Sequence, residues 1–308
     1  MVDFIRNVST KTVISCNKII HWFGIEPGKY YSWKLRYGKI NHHNGWIPRD
    51  WWITDAEKQA IIRFYIDHPF EGYRRLTYMM MDANIVALSP ASVYRILSAE
   101  NLIAKSSAHP SKKGTGFVQP LKPHEHWHID ICYININGTF YYMATVIDGY
   151  SRLIVHWEIA ESMLVGRIEL ILQKAKELFP GVTPRIISDN GPQFIAKDFK
   201  DFIRLSGMTH VKTSPFYPQS NGKCERVQKT IKQETIRKKA PQSIYDAQKN
   251  IATYIEYYNN IRLHSAIDYI SPADKLAGRA EEILLQREKK LADAREKRKL
   301  NNCSNKAA

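Results

Sequence analysis

The sequence lacks any run of about 18 apolar residues, so no stretch is long enough to cross a bilayer as a helix. Met1 to Lys11 has no continuous hydrophobic segment of the kind a secretory leader requires, and the expected location is the cytoplasm. Cysteine is scarce. Cys16, Cys132, Cys224 and Cys303 are dispersed without a CxxC pair, which argues against a disulfide framework and against a paired-thiolate zinc site; they read as structural thiols. Acid is short as well: 30 Asp and Glu stand against 45 Lys and Arg, a net charge of +15. That excess points to a polyanionic partner, because Lys and Arg gain by displacing counterions from phosphates, with an anionic membrane surface as the rival. The 308 residues, 44% of them hydrophobic, suffice for two domains with a core.

The most informative stretch runs from Ile186 to Lys232. Ile186, Ile187 and Ser188 end a short apolar run, and Asp189 follows where Asn190-Gly191-Pro192 breaks the strand, which puts a carboxylate at a strand end. Thirty-five residues separate Asp189 from Glu225, which lies just inside a helix opening after Asn221-Gly222. At helical spacing Glu225, Lys229 and Lys232 fall within roughly 60° of one another, with Cys224, Val227 and Ile231 opposite. The alternative is an ordinary Glu/Lys pair on a solvated face.

A third acid lies upstream, in the strand containing His126-Trp127-His128-Ile129-Asp130-Ile131-Cys132. Asn137-Gly138 is a two-residue hairpin turn that pairs this strand with Phe140 to Ile147. Centring the turn there sets Asp130 opposite Thr145, and Asp148 opposite Trp127. An odd offset sends Asp148 to the other face of the sheet, so Asp148-Gly149 reads as a second turn. Asp130, Asp189 and Glu225 are then a set of hard oxygen ligands suited to two-metal phosphoryl chemistry.

These motifs resemble a known family. SDNGPQF, YPQSNGKCER and the Asp-x35-Glu spacing are similar to those of the DDE transposases and integrases, which share a retroviral-integrase-like, RNase H-type core. Within that superfamily the chain looks most like the integrase-core transposases of bacterial insertion sequences. Tyr254-Ile255-Glu256-Tyr257-Tyr258-Asn259 with Arg262, His264-Ser265-Ala266 and Ser271-Pro272-Ala273-Asp274 resembles their C-terminal signature. The resemblance covers roughly residues 70 to 278. It departs at Leu263, where proline is expected, and at Cys224 before the Glu. The zinc module of retroviral integrases is missing, since His42-His43 has no paired cysteines.

The expected fold class is α/β: an RNase H-like mixed-sheet catalytic domain preceded by helical, helix-turn-helix-like DNA-binding segments. The expected divisions are a helical DNA-binding region at 1–104, a basic linker at 105–123, the catalytic core at 124–278 and a charged tail at 279–308. Helices are expected over 12–24 and 29–36, after a Thr54–Glu57 capping box, from Glu71, and from Ser89-Pro90 to Leu102. Arg74, Arg75 and Arg95 would face outward, compatible with docking on DNA or with a plain three-helix bundle. The core should run βββαβαβα. The tail, Glu281 to Leu300, has apolar residues too sparse for a heptad seam and reads as solvated or DNA-touching.

The resemblance implies strand cleavage and transesterification on double-stranded DNA, at element ends and at target. Asp130, Asp189 and Glu225 would hold two Mg²⁺ or Mn²⁺ ions; Lys229 and Lys232 would hold phosphates; Gln219, Asn221 and Lys223 would contact DNA from the Ser214 to Gly222 loop. It also implies a homo-oligomer on DNA at the nucleoid, with a separate upstream DNA-binding protein in many relatives. A retroelement integrase, an RNase H-type nuclease and a DNA-binding regulator with a silent catalytic fold are the alternatives.

Overall fold

The computed structural model describes residues 1–38, 52–103, 119–212 and 222–304. These fall into two compact units, one drawn from 1–52 and 298–308 and the other from 53–297. The helices expected together in 1–104 therefore lie on both sides of residue 52.

In the first unit, α1 (Val2–Lys11), α2 (Cys16–Trp22) and α3 (Pro27–Leu35) close around Ile5, Ile19, Ile20 and Tyr30. The helix expected over 12–24 is shorter, and α1 was not expected. Its signal was there as Val2 and Ile5, three apart and both buried.

The second unit begins with three helices. α4 (Asp55–Asp67) starts at Thr54, whose hydroxyl accepts from Glu57 N while the Glu57 carboxylate accepts from Thr54 N, the expected capping box. α5 (Tyr73–Asp82) and α6 (Pro90–Ala99) complete a bundle around Ile61, Leu76, Met80, Val93 and Leu97. Pro90 at the first turn and the Ser89 hydroxyl accepting from Ser92 N at 3.3 Å fix where α6 begins.

A five-stranded sheet follows, in the order β3-β2-β1-β4-β5. β1 (His126–Ile136), β2 (Thr139–Asp148) and β3 (Ile154–Ala160) are an antiparallel meander; β4 (Arg185–Ser188) and β5 (Thr209–Lys212) add in parallel. Asn137 and Gly138 both have positive φ, 50° and 89°, the backbone a primed hairpin turn demands. The register follows: Asp130 pairs with Thr145 and Trp127 with Asp148, as the turn dictates. α7 (Val165–Leu178), the short α8 (Pro192–Ile195) and α9 (Lys197–Leu205) complete the strand domain.

The period of two along β1 sorts the two cores. Trp127 and Ile129 pack against α7 and α9 through Ile168, Ile171, Leu172, Phe199 and Ile203. Cys132, Ile134 and Ile136 face α10 (Gly222–Ile231) and α11 (Ile244–Asn260), meeting Cys224, Val227, Ile231, Ile251 and Tyr258. α11 is fixed to the sheet by Asn259, whose side chain accepts from Ile154 N at 2.9 Å and donates to Ile154 O at 3.0 Å.

α12 (Pro272–Leu276) leads to α13 (Ala280–Ser304). The first half of α13 is docked, which corrects the solvated half of the reading of this tail as solvated or DNA-touching. Arg287 is buried and donates to both Asp82 carboxylate oxygens at 2.9 and 2.6 Å and to the carbonyls of Asp268 and Tyr269 at 3.2 and 2.8 Å. Asp268 and Tyr269 both have left-handed φ, 60° and 57°. One guanidinium thus joins α13, α5 and a strained turn, work that no heptad pattern would reveal. Arg287→Leu should therefore lower unfolding stability by about 1–3 kcal/mol in urea titrations, since it takes a donor from the partly exposed Asp82 carboxylate and from two carbonyls. A change under about 0.5 kcal/mol would show the clamp to be idle.

Candidate active site

Parallel pairing sets the first two acids side by side. His126, Trp127 and His128 of β1 pair with Arg185, Ile186 and Ile187 of β4. Two residues further along the same register, Asp130 neighbours Asp189, on strands about 4.8 Å apart. Asp189 leaves the strand at once: its Oδ1 accepts from Gly191 N at 3.0 Å. A Cβ on Gly191 would sit 3.1 Å from that oxygen, so glycine is what lets the turn close on the carboxylate.

The third acid comes from α10. Gln228, buried, donates from Nε2 to Thr145 Oγ1 at 3.2 Å, and Thr145 is the residue paired with Asp130. One turn earlier on that helix, Glu225 is brought over the strand that carries Asp130. The electrostatics record the meeting. Asp130 is 9% exposed, and its carboxyl is pushed up to about 7, first by burial, then by the charge of Asp189, with Glu225 adding to it and Lys232 opposing it. Asp189 and Glu225 are exposed. The three acids are neighbours, yet among the described residues no three His, Cys, Asp or Glu side chains are spaced to hold an ion. The donor set fits a divalent cation all the same. Three hard carboxylates meet in one place, and burial, reinforced by their repulsion, is what holds the Asp130 proton on.

Asp148 has other work. It is fully buried, its Oδ1 accepts from His124 N at 2.9 Å, and its Oδ2 accepts from Ser151 N at 2.7 Å and Ser151 Oγ at 2.6 Å. It braces the turn into β3, in agreement with the sequence reading.

The expected cationic contacts divide. Lys229, Arg74 and Arg95 are exposed. Lys232 is half-buried against Asp130 and Cys132, at the start of a π-helical stretch (Lys232–Arg237) that nothing in the sequence announced. Lys223 turns inward: its ammonium donates to Gly149 O at 3.1 Å, and its pKa is pushed down to about 7 by burial and by Arg152. Arg75, expected to face outward, is half-buried, paired with Glu71 and donating from Nε to Leu263 O at 2.9 Å. Each side chain turns in to donate to a backbone carbonyl. Gln219 and Asn221 lie outside the described residues.

Two models of the integrase core domain match the chain, at residues 120–218 and 206–272, and together they take in Asp130, Asp189 and Glu225. The chain carries an integrase core domain over residues 120–272. Among relatives of this integrase-core chain is the transposase InsD of insertion element IS2 in Escherichia coli, 28% identical over 229 residues, covering 69% of this chain and 75% of that protein. Among solved structures, a simian T-cell lymphotropic virus intasome in complex with a PP2A regulatory subunit matches at a TM-score of 0.47 and 16% identity, over 70% of this chain and 74% of that one. The HTLV-2 integrase catalytic core domain in complex with magnesium matches at 0.42 and 16% identity, over 50% of this chain and 97% of that one.

The raised pKa of Asp130 makes a test. The folded protein keeps this proton up to about pH 7, whereas the unfolded chain releases it near 3.8, so stability is fully present below about 4 and is lost as pH rises through 7. In chelator, Asp130→Asn should gain over wild type between those limits, by at most about 4 kcal/mol, and the gain should level off above pH 7. Mg²⁺ at about pH 8 should raise the melting temperature of the wild type and leave that of the variant unmoved. Parallel pH profiles for the two proteins would refute the raised pKa of Asp130.

Proposed function

We propose that this chain is a DNA transposase that cuts DNA at the ends of an insertion element and joins the freed ends to a target by transesterification. The observation that carries the reading is the convergence of Asp130, Asp189 and Glu225 from two adjacent parallel strands and one helix, within a chain that matches the integrase core domain. The substrate is double-stranded DNA, in keeping with the net charge of +15. Among the described residues no helix is long and apolar enough to cross a membrane.

In the first step water attacks a phosphodiester and the bond from phosphorus to the 3′ oxygen breaks, releasing a 3′-hydroxyl. In the second step that hydroxyl attacks a phosphodiester of the target, a new 3′ ester forms, and the displaced oxygen leaves. Divalent cations, Mg²⁺ or Mn²⁺ and two per site, supply activation of the attacking oxygen and stabilisation of the leaving one when bound. Asp130, once deprotonated, would hold these ions together with Asp189 and Glu225, both exposed. Gln228 holds α10 on the sheet, so Glu225 stays over Asp130 while DNA enters. Lys229, one turn beyond Glu225 and exposed, takes a phosphate of the strand being cut. The protein works as an oligomer on DNA.

Strand cleavage of element-end duplexes in Mg²⁺ decides the matter. Asp130→Asn, Asp189→Asn and Glu225→Gln should each lower cleavage by about a thousandfold or more while duplex binding persists, because each removes a ligand charge and leaves the basic surface alone. Asp148→Asn should keep cleavage per folded molecule but lose about 1–3 kcal/mol of stability, having given up an acceptor for two buried donors. Wild-type protein that binds ends and never cuts them would instead be a regulator with a silent fold.

Lys229→Ala should slow single-turnover strand transfer on a pre-cut end at low DNA concentration, with the rate recovered at saturation, since it positions DNA and leaves the chemistry to the acids. Wild-type rates at every concentration would reduce Lys229 to a solvated side chain.

A further inference from the structure

The face of the sheet that carries Asp130 also carries Asp189, and what holds Asp189 lies on the opposite face. Ile186 pairs with His210 across β4 and β5 and packs in the core beneath α9, so by the period of two Ser188 and His210 share the α9 side. Asp189 points the other way, toward α10. Ser188 is fully buried. Its hydroxyl donates to the carbonyl of Asp189 at 2.9 Å, and a hydroxyl has only one hydrogen to give. The second contact of the same oxygen, 2.9 Å to His210 Nε2, is therefore one it accepts, which places the imidazole hydrogen on Nε2. Burial, then Lys212 and Lys200, lower the pKa of that imidazole, so the ring is neutral near pH 7.

A second arm reaches His210 from beyond Asp189. The Asp189 carboxylate accepts from Gly191 N at 3.0 Å, and a Cβ on Gly191 would stand 3.4 Å from the ring of Phe194. Phe194 meets Phe199 edge-on at 5.5 Å, and Phe199 meets His210 edge-on at 5.2 Å. Both phenylalanines are buried. Gln193, between Gly191 and Phe194, donates from Nε2 to Met163 O at 3.2 Å and ties the turn to the segment before α7. The contacts close a circuit from Asp189 through Gly191, Phe194, Phe199, His210 and Ser188 back to Asp189. His210 is where its two arms meet. An exposed carboxylate has orientational freedom to lose, and one that is held beforehand does not lose it again on binding an ion.

We propose that His210 is a positioning residue for Asp189: through Ser188 on one side and through Phe199 and Phe194 on the other, the imidazole fixes the backbone from which the second carboxylate meets a divalent cation. The inference rests on the reading of Asp130, Asp189 and Glu225 as a cation site. His210 itself takes no part in the chemistry. Its loss weakens the hold on the ion and spares the reaction once the ion is bound.

The test titrates Mg²⁺ at about pH 8 into the full chain and follows both melting temperature and cleavage of element-end duplexes. His210→Phe, which keeps a ring against Phe199 and removes the donor to Ser188, should raise the Mg²⁺ concentration at half effect by about 10–100-fold in both readouts, with cleavage recovered at saturating Mg²⁺. His210→Gln, whose side-chain amide donates in place of the imidazole, should restore most of that loss. Ser188→Ala should lose at least as much as His210→Phe, and the double variant no more than Ser188→Ala, because both substitutions cut one path. Should His210→Phe fail to fold, Ser188→Ala carries the same comparison. A melting temperature lowered in chelator with an unchanged Mg²⁺ midpoint would reduce His210 to a core side chain and overturn the proposal. A Gln variant no better than the Phe variant would overturn it too. Wild-type protein that is stabilised by Mg²⁺ and never cuts element ends would sink the transposase reading instead, and the melting-temperature arm would still decide the role of His210.

Discussion

Two carboxylates on neighbouring parallel strands repel each other, and burying one of them strengthens the repulsion by removing the water that would screen it. The fold holds Asp130 and Asp189 in that position because the register of β1 against β4 is fixed by backbone hydrogen bonds and by two hydrophobic faces, neither of which the charges can renegotiate. Glu225 then arrives on a helix tied to the same place through Gln228 and Thr145. What looks like a defect in a stability ledger is a site prepared for positive charge, and the proton on Asp130 is the occupant that such charge displaces.

Much of this was legible in the sequence, for a specific reason. The side-chain period in a strand is two, so one hairpin turn at Asn137-Gly138 decides the face and partner of every residue in β1 and β2, and it separates Asp130 from Asp148 without ambiguity. Asp189 before Asn-Gly-Pro and Glu225 after Asn-Gly were found through equally local signals. The misses were long-range. Arg75 was taken for an outward cation because nothing near it in sequence says that Leu263, 188 positions away, needs a donor. Arg287 finds Asp82 across 205 positions, which is why α13 read as a loose tail. Lys223 and the π-helical stretch at Lys232 likewise depend on how α10 meets the sheet and the turn at Gly149.

The three-helix bundle of the second unit is joined to the C-terminal part of the core by polar and stacked contacts. Arg75 reaches Leu263, Arg287 reaches Asp82, Lys290 donates to Met81 O at 2.9 Å, and Tyr78 stacks on Tyr269 at 4.8 Å. The bundle has its own core in Ile61, Leu76 and Met80. Such a junction is specific in geometry, and each side keeps its apolar interior without it.

The second hydrophobic core has a temporal consequence. The sheet face bearing Ile134, Met143, Ile147, Ile154 and Ile159 is covered, among the described residues, by α10, the π-helical stretch after it and α11, which belong to the second of the two matched segments. During synthesis the strands emerge first, and roughly a hundred residues separate the end of β3 from the end of α11, so at ordinary elongation rates the face stays bare for about 5–20 s. A ribosome-bound chain of this protein is therefore sticky for that interval. Its yield in a cell depends on how quickly the last third of the molecule follows the middle, or on what shields the strands meanwhile.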